Sequence, residues 1–422
     1  MICRESECTG CAACLNICEA GAVKMRYDSQ GYLKAYIEKD QCINCGRCET
    51  ACPVLRYPSL ERNPRDVFAA WSKDKNVQKH GNSGGLFYEF AKFFIEKGGT
   101  VCAARYDKNF NVIHDLAECI EDLTPFQRSK FAQSDIRFMF REISRRLEQR
   151  QPVFFVGAPC QVAGLYTYLG QDSEYLLTAQ FPCFGIPPSD FLKSYISQIS
   201  NVNLNLIKDI FCEIQNNNNL NERIMGCELK NGEVITEAAS KSSYVQIWNT
   251  ALCLSDACCK CKFVTLPSIS DIIWGNFWRI GEIEKFAPLD ETYKSGCSML
   301  ILNSKKAEFY FDKIKNRLFY AKRSLREAIS GHWMFQANYQ SHILMRRYYY
   351  SAKRQEFQKE MCKSDIGYQE LVEKYLITGS SNDQGKLMWL AKRIGTKHKA
   401  WIWRFLYYIQ KYTKKMGLVG RE

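Results

Sequence analysis

Residues 8–18 read Cys8-Thr9-Gly10-Cys11-Ala12-Ala13-Cys14-Leu15-Asn16-Ile17-Cys18, and residues 42–52 read Cys42-Ile43-Asn44-Cys45-Gly46-Arg47-Cys48-Glu49-Thr50-Ala51-Cys52. Both follow C-x2-C-x2-C-x3-C, the second starting 34 residues after the first and followed by Pro53 where the first has Glu19. In runs of this spacing three close cysteines hold one 4Fe–4S cubane and the fourth ligates the other. The expected ligand sets are therefore Cys8, Cys11, Cys14 and Cys52 for one cluster, and Cys42, Cys45, Cys48 and Cys18 for the second. Clustered thiolates also suit zinc. Zinc sites usually pair two C-x2-C knuckles, however, so a four-cysteine run used twice favours clusters.

The rest of the composition agrees with a redox protein in a reducing compartment. The chain has 422 residues, a 46% hydrophobic and 13% aromatic composition and 21 cysteines. This length suggests two to three domains with ample material for a core. The start, Met1-Ile2-Cys3-Arg4, has no apolar run of the kind that directs secretion, and no stretch is long and apolar enough to span a bilayer. A cytoplasmic location is expected, with the cysteines serving as metal ligands rather than disulfides. The net charge is +13. From Lys386 to Glu422 ten Lys or Arg face one Glu. There Trp401, Phe405, Tyr408, Ile409 and Tyr412 fall near one helical face, flanked by Lys399, Lys411, Lys414 and Lys415. Such a helix suits the inner membrane surface, and equally a docking face on the protein or a partner. No recognition motif accompanies the charge, so nucleic acid is not expected.

Periodicity outlines an α+β chain with three parts. Residues 1–57 form a ferredoxin-like module, and Pro58 and Pro64 mark a linker. Residues 66–310 alternate strands and helices: a helix from about 86 to 97 with Asn82 or Ser83 as its cap, strands at Val101–Tyr106, Val153–Val156 and Tyr175–Phe181, and helices at Asp135–Gln149, Gln161–Leu169 and Ser189–Ile199. That order argues an α/β layer with much parallel sheet. Asn231-Gly232 signals a hairpin. Residues 311–422 read as a helical, basic region.

Four further cysteines stand in unusual settings. Cys160 follows the Val153–Val156 strand inside Gly157-Ala158-Pro159-Cys160-Gln161. Cys183 follows the next strand, and Cys258 and Cys261 form C-x2-C. Crevices at the carboxyl ends of strands are where open α/β sheets bind ligands. Together the four thiolates make a candidate third metal site, for a cluster or for zinc; each alone is as well explained as a small buried hydrophobe. Cys259 is the rival ligand within its motif. Cys3, Cys102, Cys119, Cys212, Cys227, Cys253, Cys297 and Cys362 show no spacing logic and are expected in the core.

Taken in order, the cysteine runs, Asn82-Ser83-Gly84-Gly85, Gly157-Ala158-Pro159-Cys160-Gln161, Pro182-Cys183-Phe184-Gly185, the Cys258/Cys261 pair and Ser270-Asp271-Ile272-Ile273-Trp274-Gly275-Asn276-Phe277-Trp278 resemble the beta subunit of coenzyme F-420 hydrogenase/dehydrogenase. Relatives of that family include 7-hydroxymethyl chlorophyll a reductase. The likeness covers about residues 1–310. It implies FAD, iron–sulfur clusters and hydride-equivalent transfer to or from an organic substrate, and it makes Cys160, Cys183, Cys258 and Cys261 ligands of a third 4Fe–4S cluster beside the flavin. In that light Asn82, Ser83, Gly84 and Gly85 are the candidate flavin-pyrophosphate contacts at a helix start, or an ordinary cap. Asp271 is a candidate for a flavin or ribose hydroxyl, or a turn cap. Trp274, Phe277 and Trp278 are expected to wall a flat ring or to lie in the core. The family commonly has His where Phe184 stands and Asp where Asn276 stands, which leaves the substrate open. The expected partners are a redox protein, either a ferredoxin or a catalytic subunit, and a small-molecule substrate. The other readings are an electron-transfer subunit feeding a separate catalytic protein, and an assembly protein with structural clusters. No proton donor is nominated among His80, His114, His332, His342 and His398.

Overall fold

The computed structural model describes residues 2–216, 219–288, 290–335, 354–361 and 367–377. The expected basic helix at 386–422, with its membrane contact, lies outside these residues.

Each cysteine run closes around a short helix, Ala13–Ile17 in the first and Arg47–Thr50 in the second. Between them β1 (Val23–Tyr27) and β2 (Leu33–Ile37) form an antiparallel pair. The duplicated sequence produces a duplicated backbone. Gly10 and Ala12 take left-handed φ values of 72° and 60°, and their counterparts Asn44 and Gly46 take 53° and 74°. Left-handed residues among right-handed ones turn successive N–H groups toward one side, a concavity suited to negative sulfur. This N-terminal region is ferredoxin-like.

The larger part is a mixed α/β structure around a nine-stranded sheet. Its strands are β3 (Asp66–Ser72), β4 (Thr100–Tyr106), β5 (Val112–Ala117), β6 (Ser134–Asp135), β7 (Val153–Gly157), β8 (Leu176–Gln180), β12 (Ile272–Asn276), β13 (Ser298–Leu302) and β14 (Leu318–Lys322). They lie in the order β14-β3-β13-β12-β8-β7-β4-β5-β6. The centre is parallel, with β12 beside β8, β8 beside β7 and β7 beside β4. Antiparallel strands flank it on both sides. The parallel centre brings the ends of β7, β8 and β12 side by side, which is where the sequence places Cys160, Cys183 and Asn276.

Period-two alternation splits each strand between two cores. Phe68 and Ala70 of β3 pack under the helices Leu86–Glu96 and Lys305–Ile314 with Phe90, Phe94, Phe154 and Phe311. Full burial of each such aromatic contributes roughly 1.5–3 kcal/mol. On the opposite face Cys102, Val153, Phe155 and Leu176 meet the helices Met139–Glu148 and Pro159–Leu169, and the N-terminal module packs onto those helices. Arg141 fastens it by donating to the carbonyls of Asn16 at 2.6 Å and Cys18 at 2.8 Å, and Thr167 donates to the carbonyl of Ala51 at 2.7 Å. A smaller sheet of β9 (Ile207–Asn216), β10 (Asn219–Leu229) and β11 (Val234–Ala238) forms a third core with Leu192, Tyr195, Tyr244 and Phe357.

Three expectations change. The cap of the Leu86–Glu96 helix is Gly85 at φ +79°, not Asn82 or Ser83. The helix expected from Asp135 starts at Met139, because Asp135 belongs to β6 and Arg137 is left-handed. The region after 311 is not wholly helical: Leu318–Lys322, with its paired aromatics Phe319 and Tyr320, joins the sheet beside β3. The Asn231-Gly232 hairpin forms as expected, with Gly232 at φ +89°.

The module rests on a helix position without a side chain. A Cβ at Gly164 would stand 3.0 Å from both Cβ and Sγ of Cys11. Gly164→Val is therefore expected to cost about 1–3 kcal/mol by overpacking and to loosen Cys11. Thermal unfolding and iron content should both fall. An unchanged iron content would mean that the module does not depend on this contact.

Candidate redox centres and the cavity they border

Cys8, Cys11, Cys14 and Cys52 are buried, Cys18, Cys42 and Cys48 partly so, and Cys45 is exposed. Cys8 and Cys52 act on both Cys11 and Cys14, and Cys48 of the second run reaches Cys14 as well. Cys48 feels Cys18 and Cys42. Burial pushes the Cys11 thiol up to about 12, opposed by the N–H of Ala13. Backbone N–H groups of Gly10 and Ala35 point to Cys8, and those of Val54 and Leu55 to Cys52. N–H donors to sulfur favour the thiolate. Cys3, which sequence assigns to the core, stands beside both ends of this group, and its thiol, able to donate to one sulfur at a time, draws Cys8 down to about 6 and Cys52 to about 7.

The third set also assembles. Cys160 lies in the first turn of the Pro159–Leu169 helix, Cys183 past β8, Cys258 in the short helix Asp256–Cys259, and Cys261 just beyond it. All four line one small cavity of about 40 Å³. Burial raises the Cys160 thiol well above its ordinary value, with Cys261, Cys183 and Cys258 adding to the effect, and Cys11 of the first run contributing too. Burial pushes Cys261 up to about 11 against N–H donation from Phe263 and Val264. Cys259 does not line this cavity; its charge acts on Tyr32 and Cys253 instead. Among the described residues no three His, Cys, Asp or Glu side chains converge as a single metal ion requires. The backbone N–H groups of Phe263 and Val264 beside Cys261, and of Gly185 beside Cys183, favour the thiolate that a metal centre needs.

A second cavity, of about 450 Å³, opens at the carboxyl ends of β7, β8 and β12. That is a size ordinary for ligand pockets. Cys183, Ala158 and Gln161 line both cavities, so the thiol site and the large cavity share a wall. Asn82, Ser83, Gly85, Trp274 and Trp278 line it. Asn82 donates to the carbonyl of Cys212 at 2.9 Å, and its buried Oδ1 has no partner among the described residues. Ser83 donates to the carbonyl of Cys297 at 2.9 Å. Gly84 gives its N–H to Ser298 Oγ, and a Cβ there would meet the Ala70 carbonyl at 2.4 Å. Its role is close packing on β3 rather than an open N–H. Phe277 is core, off the cavity.

Asp271 is not where sequence put it. It is fully buried at the start of β12, the opposite end from cavity-lining Asn276, roughly 17 Å away along a five-residue strand. Its oxygens accept from Thr178 N and Oγ1, both at 2.9 Å, and from Ser304 Oγ at 2.6 Å, with Arg62 Nε at 3.3 Å. No acceptor is left for a flavin or ribose hydroxyl.

The structure adds two histidines that sequence could not choose between. His114 is buried on the cavity wall against Ser134 Oγ and the Val156 carbonyl, and burial pulls it down to about 4. His332 donates from Nε2 to the Asn276 carbonyl at 2.9 Å, and burial pulls it to about 4 as well. Both imidazoles are neutral at pH 7. Asn276 Oδ1 accepts from Arg223 at 2.7 Å, so this amide is already engaged.

Residues 7–55 match the 4Fe-4S dicluster domain, and residues 151–327 match the family model for the C terminus of the coenzyme F420 hydrogenase/dehydrogenase beta subunit. The likeness to that beta subunit is thus shown over residues 151–327. The first match contains all eight cysteines of the two runs, and the second contains Cys160, Cys183, Cys258, Cys261 and Asn276. Asn82–Gly85, His114 and His332 lie outside both. No curated protein matches the chain. Among solved structures, the F420-reducing NiFe hydrogenase complex from Methanosarcina barkeri is similar with 15% identity and a TM-score of 0.44, covering 73% of this chain and 96% of that chain. Among the described residues no helix is long and apolar enough to cross a membrane.

Proposed function

We propose that this chain is a member of the coenzyme F420 hydrogenase/dehydrogenase beta-subunit family and an iron–sulfur flavoprotein oxidoreductase that relays electrons between three 4Fe–4S clusters and FAD, exchanging a hydride equivalent with a small organic substrate. The observation that carries the reading is the shared wall: Cys183 borders the four-thiol cavity on one side and the 450 Å³ cavity on the other. Clusters supply one-electron chemistry over a wide range of potentials, and a flavin couples it to two-electron chemistry. The chain's own residues order the path. Exposed Cys45, beside Ile43 and Arg47, marks the end open to a redox partner. Buried Cys11 is felt by Cys160, which joins the first run to the third set. Asn82, Ser83 and Gly85 line the cavity as flavin contacts, and neutral His332, held through Nε2 at the Asn276 carbonyl, can offer Nδ1 to a ligand without adding charge, while both nitrogens of His114 are engaged on the wall. The family description "beta subunit" supports a second reading, in which the same relay feeds a separate catalytic protein.

The test is Cys160→Ala purified without oxygen. Iron should fall by about one third, one cubane of three. FAD should remain bound, but a donor that reduces the N-terminal clusters should no longer bleach it. Unchanged iron would remove the third cluster from the account, and absence of flavin from the parent protein would remove FAD.

A further inference from the structure

Among the described residues, one amine on the wall of the large cavity has no carboxylate partner. Of the described residues that line the cavity, two are cations, Arg128 and Lys130, and none is Asp or Glu. Arg128 is paired with Asp209 at 3.1 Å. Lys130 makes no carboxylate contact within ion-pair distance among the described residues; its Nζ donates only to the carbonyls of Gln127 and Arg128. The residue is already half-buried, and a ligand filling the cavity would cover the rest. A desolvated ammonium with only neutral partners is costly, so such groups are found paired. Burial draws this amine down to about 7, with the distant Asp209 charge only partly restoring it.

We infer, building on the flavin reading above, that Lys130 binds the phosphate of the flavin and is the residue that makes this cavity select a phosphorylated flavin over riboflavin. Its position favours the phosphate over the ring. Lys130 lies within the electrostatic reach of Cys212, and the Cys212 carbonyl is the group that Asn82 holds. The Lys130 loop and the entry to the Leu86–Glu96 helix therefore approach the same residue of β9. Gly85, Leu86 and Phe87 of that entry line the cavity too, and first-turn N–H groups favour an anion. The ring end belongs at the thiol wall, where Cys183, Phe181 and Trp274 give an apolar lining.

The experiment compares FAD, FMN and riboflavin binding to deflavinated full-length protein, held anaerobically with its clusters intact, by quenching of flavin fluorescence. In Lys130→Met, FAD and FMN should weaken by about 10- to 100-fold, the span of a lost charge-assisted bond, while riboflavin binding stays the same. Lys130→Arg should recover most of the affinity. Equal weakening of all three flavins would mean that the substitution damages the cavity rather than a phosphate contact, and would overturn the inference. So would unchanged FAD binding. Failure of the parent protein to bind any flavin overturns the flavin reading itself, and this inference with it.

Discussion

Cys52→Ala removes the cluster of the first run, although Cys52 belongs to the second. The variant should lose about four of roughly twelve irons, and anaerobic alkylation should then label Cys8, Cys11 and Cys14 while Cys42, Cys45 and Cys48 stay protected. The reasons are geometric. Cys52 is buried with Cys8, and Cys3 stands beside both. Cys11 and Cys14 both feel Cys52. Cys18→Ala should give the mirror result, because Cys48 feels Cys18 and Cys42. Cys3 stands close enough to replace the missing ligand, so the measurement belongs in a Cys3→Ser background. Since this group lies between the exposed second run and Cys160, reduction of the flavin by an external donor should stop. Labelling of Cys42, Cys45 and Cys48 in the Cys52 variant would mean that each run holds its own cluster.

The second large effect is on stability. Asp271→Ala should destabilise the chain by about 3–5 kcal/mol, the usual cost of removing one partner from a buried ion pair. Asp271 joins four separate pieces: the Thr178 backbone and hydroxyl in β8, Ser304 at the cap of the Lys305–Ile314 helix, Arg62 in the segment after the N-terminal module, and the start of β12 itself. Arg62 would keep Asp172 at 2.7 Å, but the Thr178 N–H would have no acceptor in a dry interior. Denaturant unfolding should show the shift, and flavin affinity in the surviving folded fraction should be unchanged because Asp271 does not line the cavity. A variant of normal stability with weakened flavin binding would restore Asp271 to the site.

The cysteine runs were legible because their spacing is a local property: three thiols within seven residues can only be brought together one way. The strand–helix alternation was legible for the same reason, as with β7, β8 and the Pro159–Leu169 helix. Convergence of Cys160, Cys183, Cys258 and Cys261 was readable only as a possibility of composition and family, since it depends on β7, β8 and the segment beyond 255 meeting across more than a hundred residues. Asp271 misled because a conspicuous carboxylate beside aromatic residues looks like a ligand contact. Strand direction, which sends position 276 to the cavity and 271 to the far end, is not visible in the string. β14 was missed because five residues amid helical stretches carry little periodicity, and pairing with β3 decides them. Lys130 gave no signal either. Its meaning lies in the want of a carboxylate among the described residues of the cavity wall, and that appears only once the wall is assembled.

If twelve thiolates hold three sulfide-containing cubanes in line with a flavin cavity, chemical analysis of iron and acid-labile sulfide in protein purified wholly without oxygen should return roughly twelve of each per chain. Protein carrying zinc, or iron with no acid-labile sulfide, would rule the cubanes out.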